Sequence, residues 1–245
     1  MIPKVIHYCW FGRNPLPQSA IKCIESWKKY LPDYEIKEWN EDNFNVNSIP
    51  YTAEAYAAKK YAFVSDYARF WILYKYGGIY FDTDVEVIKP LDDIIERGCF
   101  MGLENNGNSE SLKPTVAPGL GLGATPRSNL IKELIDSYNN RHFEFHSNIR
   151  LMQTIVHFTT ELFLQKGLQS SNQIQHVNNF WIYPSEYFCP INVTTGRLHI
   201  TKNTRTIHHY AGTWIEGNKI SFKNIIRKYM PESVLLLYNK LKNKK

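Results

Sequence analysis

One stretch constrains this chain more than any other: SDYARFWILYKYGGIYFDTDVE, residues 65–86. It runs from a helix-like segment through a double glycine into an aromatic, β-branched run that ends in carboxylates. Residues Ala55 to Tyr76 contain neither Pro nor Gly, and Tyr61, Val64, Ala68, Trp71 and Ile72 recur at helical spacing. One long helix is therefore expected, with Gly77 as the left-handed residue that ends it. Asp66 and Arg69 fall three apart on one face, with about 5–6 Å between their Cβ atoms. A strand should follow, with Ile79, Phe81, Thr83 and Val85 on one face and Tyr80, Asp82, Asp84 and Glu86 on the other. Three acids on one strand face are costly. They fall at the strand's carboxyl end, where open α/β sheets bind ligands. Asp82 and Asp84 would project the same way, about 7 Å apart at the backbone. Like charges held that close call for a cation, and a metal bound there could hold a diphosphate.

The remaining chain alternates strands with helices. Val5 to Cys9 and Glu35 to Trp39 read as strands, and Pro17 to Tyr30 as a helix with Ile21, Ile24, Trp27 and Leu31 on one stripe. Phe100 to Leu103 reads as a further strand. GLGLGATPRSN, residues 119–129, reads as a Gly-rich strand and turn, with a helix starting at Pro126 and running to Tyr138. It lacks the Lys-Ser/Thr of a P-loop and the spacing of a dinucleotide fingerprint, so tight packing is its expected role. Asn148 to Leu168 reads as helical, with short strands and loops from there to Trp214. The pattern predicts an α/β domain with a mostly parallel sheet flanked by helices.

The net charge of +6 divides unevenly. Residues 219–245 hold eight of the 29 basic side chains and one acid, Glu232, which leaves the other 218 residues close to neutral. A nucleic-acid binder would more often spread its basic residues over a folded face, so no nucleic-acid partner is expected. In the tail, Val234, Leu237, Tyr238 and Leu241 follow helical spacing, and the reading divides between a membrane-surface anchor for anionic lipid and a helix packed on the body. The four cysteines, Cys9, Cys23, Cys99 and Cys189, are scattered without a CxxC pair. With no signal-peptide pattern at the start and no apolar run of spanning length, the expected place is the cytoplasm, either free or peripheral on the inner face of the membrane.

SDYARFWILYKYGGIYFDTD resembles the core motif of the family 32 glycosyltransferases, which include bacterial capsule and lipopolysaccharide sugar transferases and the yeast initiating mannosyltransferases. The glucosylating domains of large clostridial toxins are related. IPKVIHYCWFG at the start, YPSEYFCP at 183–190 and TKNTRTIHHYAGTW near the end are similar to family segments in the same order. The resemblance implies a GT-A-type domain over residues 1–218, with the donor side in about 1–105 and the acceptor side in about 106–218. It implies a metal-dependent, retaining transfer from a nucleotide-diphospho-sugar, with a UDP-sugar favoured, to a glycan or lipid-linked glycan in surface polysaccharide synthesis. It makes Asp84 the direct metal ligand. Asp82 would contact the ribose and sugar, or the metal through water. Asp66 and Arg69 would grip the transferred sugar. Trp10 would stack on the base with Tyr80 nearby, and Thr213 and Trp214 would sit over the diphosphate. Neighbouring histidines in a strand point opposite ways, so one of His208 and His209 is expected at the metal, and the family spacing to Trp214 favours His209. Two oxygen ligands and an imidazole suit Mn²⁺, with Mg²⁺ the alternative. The other histidines, His7 among them, are expected to be structural. Two rival readings are a haloacid-dehalogenase-like phosphohydrolase, against which Glu86 stands, and a membrane-bound carbohydrate-binding module without catalysis.

Overall fold

The computed structural model describes residues 1–107, 113–144, 154–191 and 196–211. Strand β1 (Val5–Cys9) pairs in parallel with β2 (Glu35–Trp39) on one side and β3 (Gly78–Tyr80) on the other. These three strands form one parallel part of the sheet. Beyond β3, β7 (Leu122–Ala124) pairs antiparallel with both β3 and β5 (Phe100–Asn105), and β9 (Phe180–Tyr183) returns parallel to β5. β8 (Gln175–Val177) closes the sheet, and the short β6 (Thr115–Val116) pairs with β5, giving the order β2-β1-β3-β7-β5-β9-β8. The sheet is mixed, and its two parallel groups are joined through the antiparallel β7. A separate two-stranded ribbon pairs β4 (Val85–Val87) with β10 (Thr206–His208). With helices on both faces, this is the α/β architecture that the family resemblance implies.

Strand alternation sorts the core into two layers. Ile6, Tyr8, Ile79 and Phe81 face helix α1 (Gln18–Tyr30), whose Ile24 and Trp27 meet them. Trp27 also donates its indole N–H to the Val85 carbonyl at 2.7 Å, which ties α1 to β4. On the other face, Cys9 and Tyr80 meet helix α3 (Tyr61–Tyr76), with α2 (Pro50–Ala57), α5 (Asn129–Asp136) and α6 (Ile155–Gln165) around it. Helix α3 is buried on most of its circumference, which explains its apolar sequence all round. Two short helices, α4 (Asp92–Ile95) and α7 (Ser185–Phe188), complete the described elements.

Three expectations shift. The predicted helix from Ala55 onward is two helices, because Lys59 takes a left-handed φ of 59° between α2 and α3. The helix after Pro126 starts at Asn129, because Arg127 likewise sits at φ 59°. The segment 79–86 is not one strand: β3 stops at Tyr80 and β4 begins at Val85. The predicted helix 148–168 is seen as α6, with 148–153 outside the described residues, as are Thr213, Trp214 and the tail 219–245.

Buried His7 locks β1 to its neighbours. Its Nε2–H donates to the Gly77 carbonyl at 2.9 Å, and its Nδ1 accepts the Trp39 indole N–H at 3.0 Å. That arrangement requires a neutral ring, and burial pushes its pKa down from 6.5 to about 4. The folded value lies below the unfolded one, so the stability is complete above pH 6.5 and is lost as pH falls toward 4. Urea unfolding across this window should show a loss of about 3 kcal/mol assignable to His7, and His7→Leu, although less stable overall, should have a flatter pH profile. Gly77 ends α3 at φ 64°, and a Cβ there would stand 2.6 Å from Pro126 Cδ and 2.9 Å from Pro3 Cδ. Gly77→Ala should therefore cost about 2 kcal/mol or more, read as a lowered thermal midpoint.

Candidate active site

The site is built on a buried cation. Helix α3 carries Asp66 and Arg69 three residues apart, and both are almost fully buried. Arg69 Nη2 lies 2.8 Å from Asp66 Oδ1 and 3.3 Å from Asp82 Oδ1. Its Nε–H donates to the Ser65 carbonyl, and its guanidinium stacks over the Tyr80 ring at 4.7 Å. One guanidinium thus bridges a helix carboxylate and a loop carboxylate. Burial raises Asp66 to about 7, against the pull of Arg69 and with a further push from Asp82. Asp66 can therefore carry a proton near neutral pH.

The two acids of the Asp82-Thr83-Asp84 motif lie on a turn between β3 and β4, not on a strand face. The Asp82 carbonyl accepts the Val85 N–H at 3.0 Å, which closes the turn, while the Asp82 N–H donates to the Gly119 carbonyl at 3.0 Å. Turn closure, rather than strand alternation, brings the carboxylates together. Asp82 Oδ1 accepts the Tyr80 hydroxyl at 3.0 Å beside Arg69. Its Oδ2 lies against Gly119, where any Cβ would overlap it. Asp84 is held from the far end of the chain: its Oδ1 lies 3.1 Å from His208 Nε2, its Oδ2 accepts the Ala211 N–H at 2.8 Å, and its carbonyl accepts the His209 N–H at 3.0 Å.

Burial alone would raise the Asp84 pKa, but His208 and the Ala211 N–H bring it down to about 2, so it is a carboxylate throughout the working range. Burial alone would lower the His208 pKa, but Asp84 above all, with Asp82 and Glu104, holds it above its ordinary value. Asp82, Asp84 and His208 each offer a ligand atom, all within 4.8 Å of one another. His208 Nδ1 is buried with no hydrogen-bond partner. Two carboxylates and one imidazole with an unsatisfied buried nitrogen fit a divalent first-row cation.

The structure brings His208, rather than the favoured His209, to the acid pair, whereas His209 Nε2 lies 2.8 Å from Glu86 Oε2. His208 is the last residue of β10, paired with Val85, while His209 follows just past the strand end, and the register against β4 decides which ring turns inward. Tyr80, expected near the base-stacking Trp10, lies in the core. It is 1% exposed, packed under Arg69, and acts on Asp82 through its hydroxyl. Trp10 lies just beyond the carboxyl end of β1, on the same sheet edge as the acid turn, half-buried and donating its indole N–H to the Asn14 carbonyl. Gly119, Ala211 and Tyr210 escaped the sequence reading. For Gly119 the glycine alternation in GLGLG was the available signal, whereas a backbone N–H at Ala211 leaves none.

Residues 17–101 match the family model described as a glycosyltransferase sugar-binding region containing a DXD motif. Similar proteins include inositol phosphoceramide mannosyltransferase 3 of Schizosaccharomyces pombe, 32% identical over 43% of this chain and 32% of that protein. Mannosyl phosphorylinositol ceramide synthase CSH1 of Saccharomyces cerevisiae is 27% identical over 67% of this chain and 42% of its own length. The chain thus spans less than half of these curated relatives. Among solved structures, the PaToxG glycosyltransferase aligns with a TM-score of 0.48 at 21% identity, over 67% of this chain and 70% of that one. The matched region covers both Asp66–Arg69 and the acid turn, so this part of the chain is similar to the sugar-binding DXD region of glycosyltransferases.

Proposed function

We propose that this chain transfers a hexose from a nucleotide-diphospho-sugar to a glycan or lipid-linked acceptor, with retention of anomeric configuration and in dependence on a divalent cation. The observation that carries this reading is the meeting of Asp82, Asp84 and His208 beside the buried Asp66–Arg69 pair. Asp82, Asp84 and His208 would hold a divalent cation, which would offset the negative charge that builds on a departing nucleotide diphosphate. The protein's own groups do the rest. Arg69 keeps Asp82 and Asp66 fixed in place. Asp66, with its pKa near 7, can accept or donate a hydrogen bond at a sugar hydroxyl. Tyr80 orients Asp82 from below. Retention follows from the family resemblance, and same-face attack assisted by the leaving phosphate is the favoured route.

Mn²⁺ is the favoured ion on its donor set. The sequence motifs favour a UDP-linked hexose or N-acetylhexosamine. One yeast relative is named an inositol phosphoceramide mannosyltransferase and another a mannosyl phosphorylinositol ceramide synthase, which supports a lipid-linked acceptor and brings a nucleotide-linked mannose into the same comparison. We place the reaction at the cytoplasmic membrane face, where the basic segment 219–245 would meet anionic lipid.

Thermal-shift titration with nucleotide sugars, in Mn²⁺ and in chelator, tests this directly. Donor stabilisation should require the metal, and equal stabilisation in chelator would overturn the reading. Asp84→Asn should weaken Mn²⁺ binding by more than the roughly 10–100-fold typical of losing an outer partner, with the fold retained. His208→Ala should behave like Asp84→Asn, and His209→Ala should keep Mn²⁺ binding. The reverse order would return the ligand role to His209.

A further inference from the structure

The chain segment that brings His208 and two backbone donors onto Asp84 is itself held by one side chain. Tyr210 sits two residues after His208 and one before Ala211, in a left-handed conformation with φ 52°. That is an unfavourable backbone for a bulky non-glycine residue. It turns the chain so that the His208 ring, the His209 N–H and the Ala211 N–H all reach Asp84.

The tyrosine side chain fixes this conformation from two other elements. Its hydroxyl donates to Glu104 Oε1, on β5, at 2.8 Å. It also lies 2.9 Å from Cys189 Sγ, which follows α7. Its ring meets the His208 ring edge-on, with 4.2 Å between centroids. A strained residue is thus anchored at its tip and packed along its side against a cation ligand.

The geometry points to Tyr210 as a positioning residue for the cation site: braced by Glu104 and Cys189, it presets the turn that presents His208 and the Ala211 N–H to Asp84. This rests on the reading of Asp82, Asp84 and His208 as the ligands. Outer partners of this kind orient ligands without touching the ion. The hydroxyl contributes by removing alternative turn conformations before the ion arrives, so its loss should appear as weaker ion binding.

The test is Mn²⁺ affinity, read by electron paramagnetic resonance titration of the free ion, with thermal midpoints measured in chelator. Tyr210→Phe keeps the ring and removes the hydroxyl. It should weaken Mn²⁺ binding about 10- to 100-fold with a chelator-state midpoint close to wild type. Glu104→Gln should weaken it less, and the double variant should be no weaker than Tyr210→Phe alone, because both act through one brace. Wild-type affinity in Tyr210→Phe, or a lowered chelator-state midpoint with unchanged affinity, would overturn the inference. So would an additive loss in the double variant, which would mean that Glu104 acts on the ion directly. Should Tyr210→Phe not fold, Glu104→Gln carries the test, and unchanged affinity there would overturn it. A wild-type protein that binds no Mn²⁺ would instead overturn the ligand assignment on which the brace depends.

Discussion

The site depends on one guanidinium in the protein interior. Arg69 is buried between Asp66 and Asp82, and without it two carboxylates would face each other in a low-dielectric region. With it, Asp82 can be held at the rim of the core while leaving one oxygen against Gly119. Asp84 is stabilised by other means, a histidine and two contacts from the backbone of residues 209–211. The acid pair is therefore asymmetric. One member is tied to the helix layer, the other to the chain's distal segment, and the space between them is where their charges meet.

The layering of the domain explains how this is achieved. Strands β1 and β3 run parallel, so their carboxyl ends lie on one sheet edge, and the acid turn follows directly from β3. Tyr80, the last residue of that strand, points into the α3 layer and reaches Arg69 and Asp82 at once. His7, beside Tyr80 in register, ties the same strand pair to the helix stop at Gly77. Structural and chemical residues here share neighbours.

Much of this was legible in the sequence where the signal is local. The limits of β1 and β2, the stop at Gly77 and the three-residue spacing of Asp66 and Arg69 depend on periodicity and on glycine chemistry. What escaped depends on pairings distant in the chain. The acids were read as a strand face because β-branched and aromatic residues flank them, but the Val85 N–H closes onto Asp82 and ends the strand. His208 could not be told from His209 without the register of β10 on β4. The lowered Asp84 pKa depends first on His208, whose approach the β4–β10 register sets, and then on a backbone N–H, a group every residue but proline has.

The β4–β10 ribbon gives the site an unusual dependence. It is a three-residue antiparallel ladder separate from the main sheet, and His208 is its last residue. Peeling this short ladder apart would withdraw an imidazole and two amide donors from Asp84 in one movement. The half of the site carried by α3 and β3 would stay intact. The site is thus assembled from a floor on α3 and β3 and a wall carried by the β10 segment, and the contacts of that wall with Asp84 depend on one another.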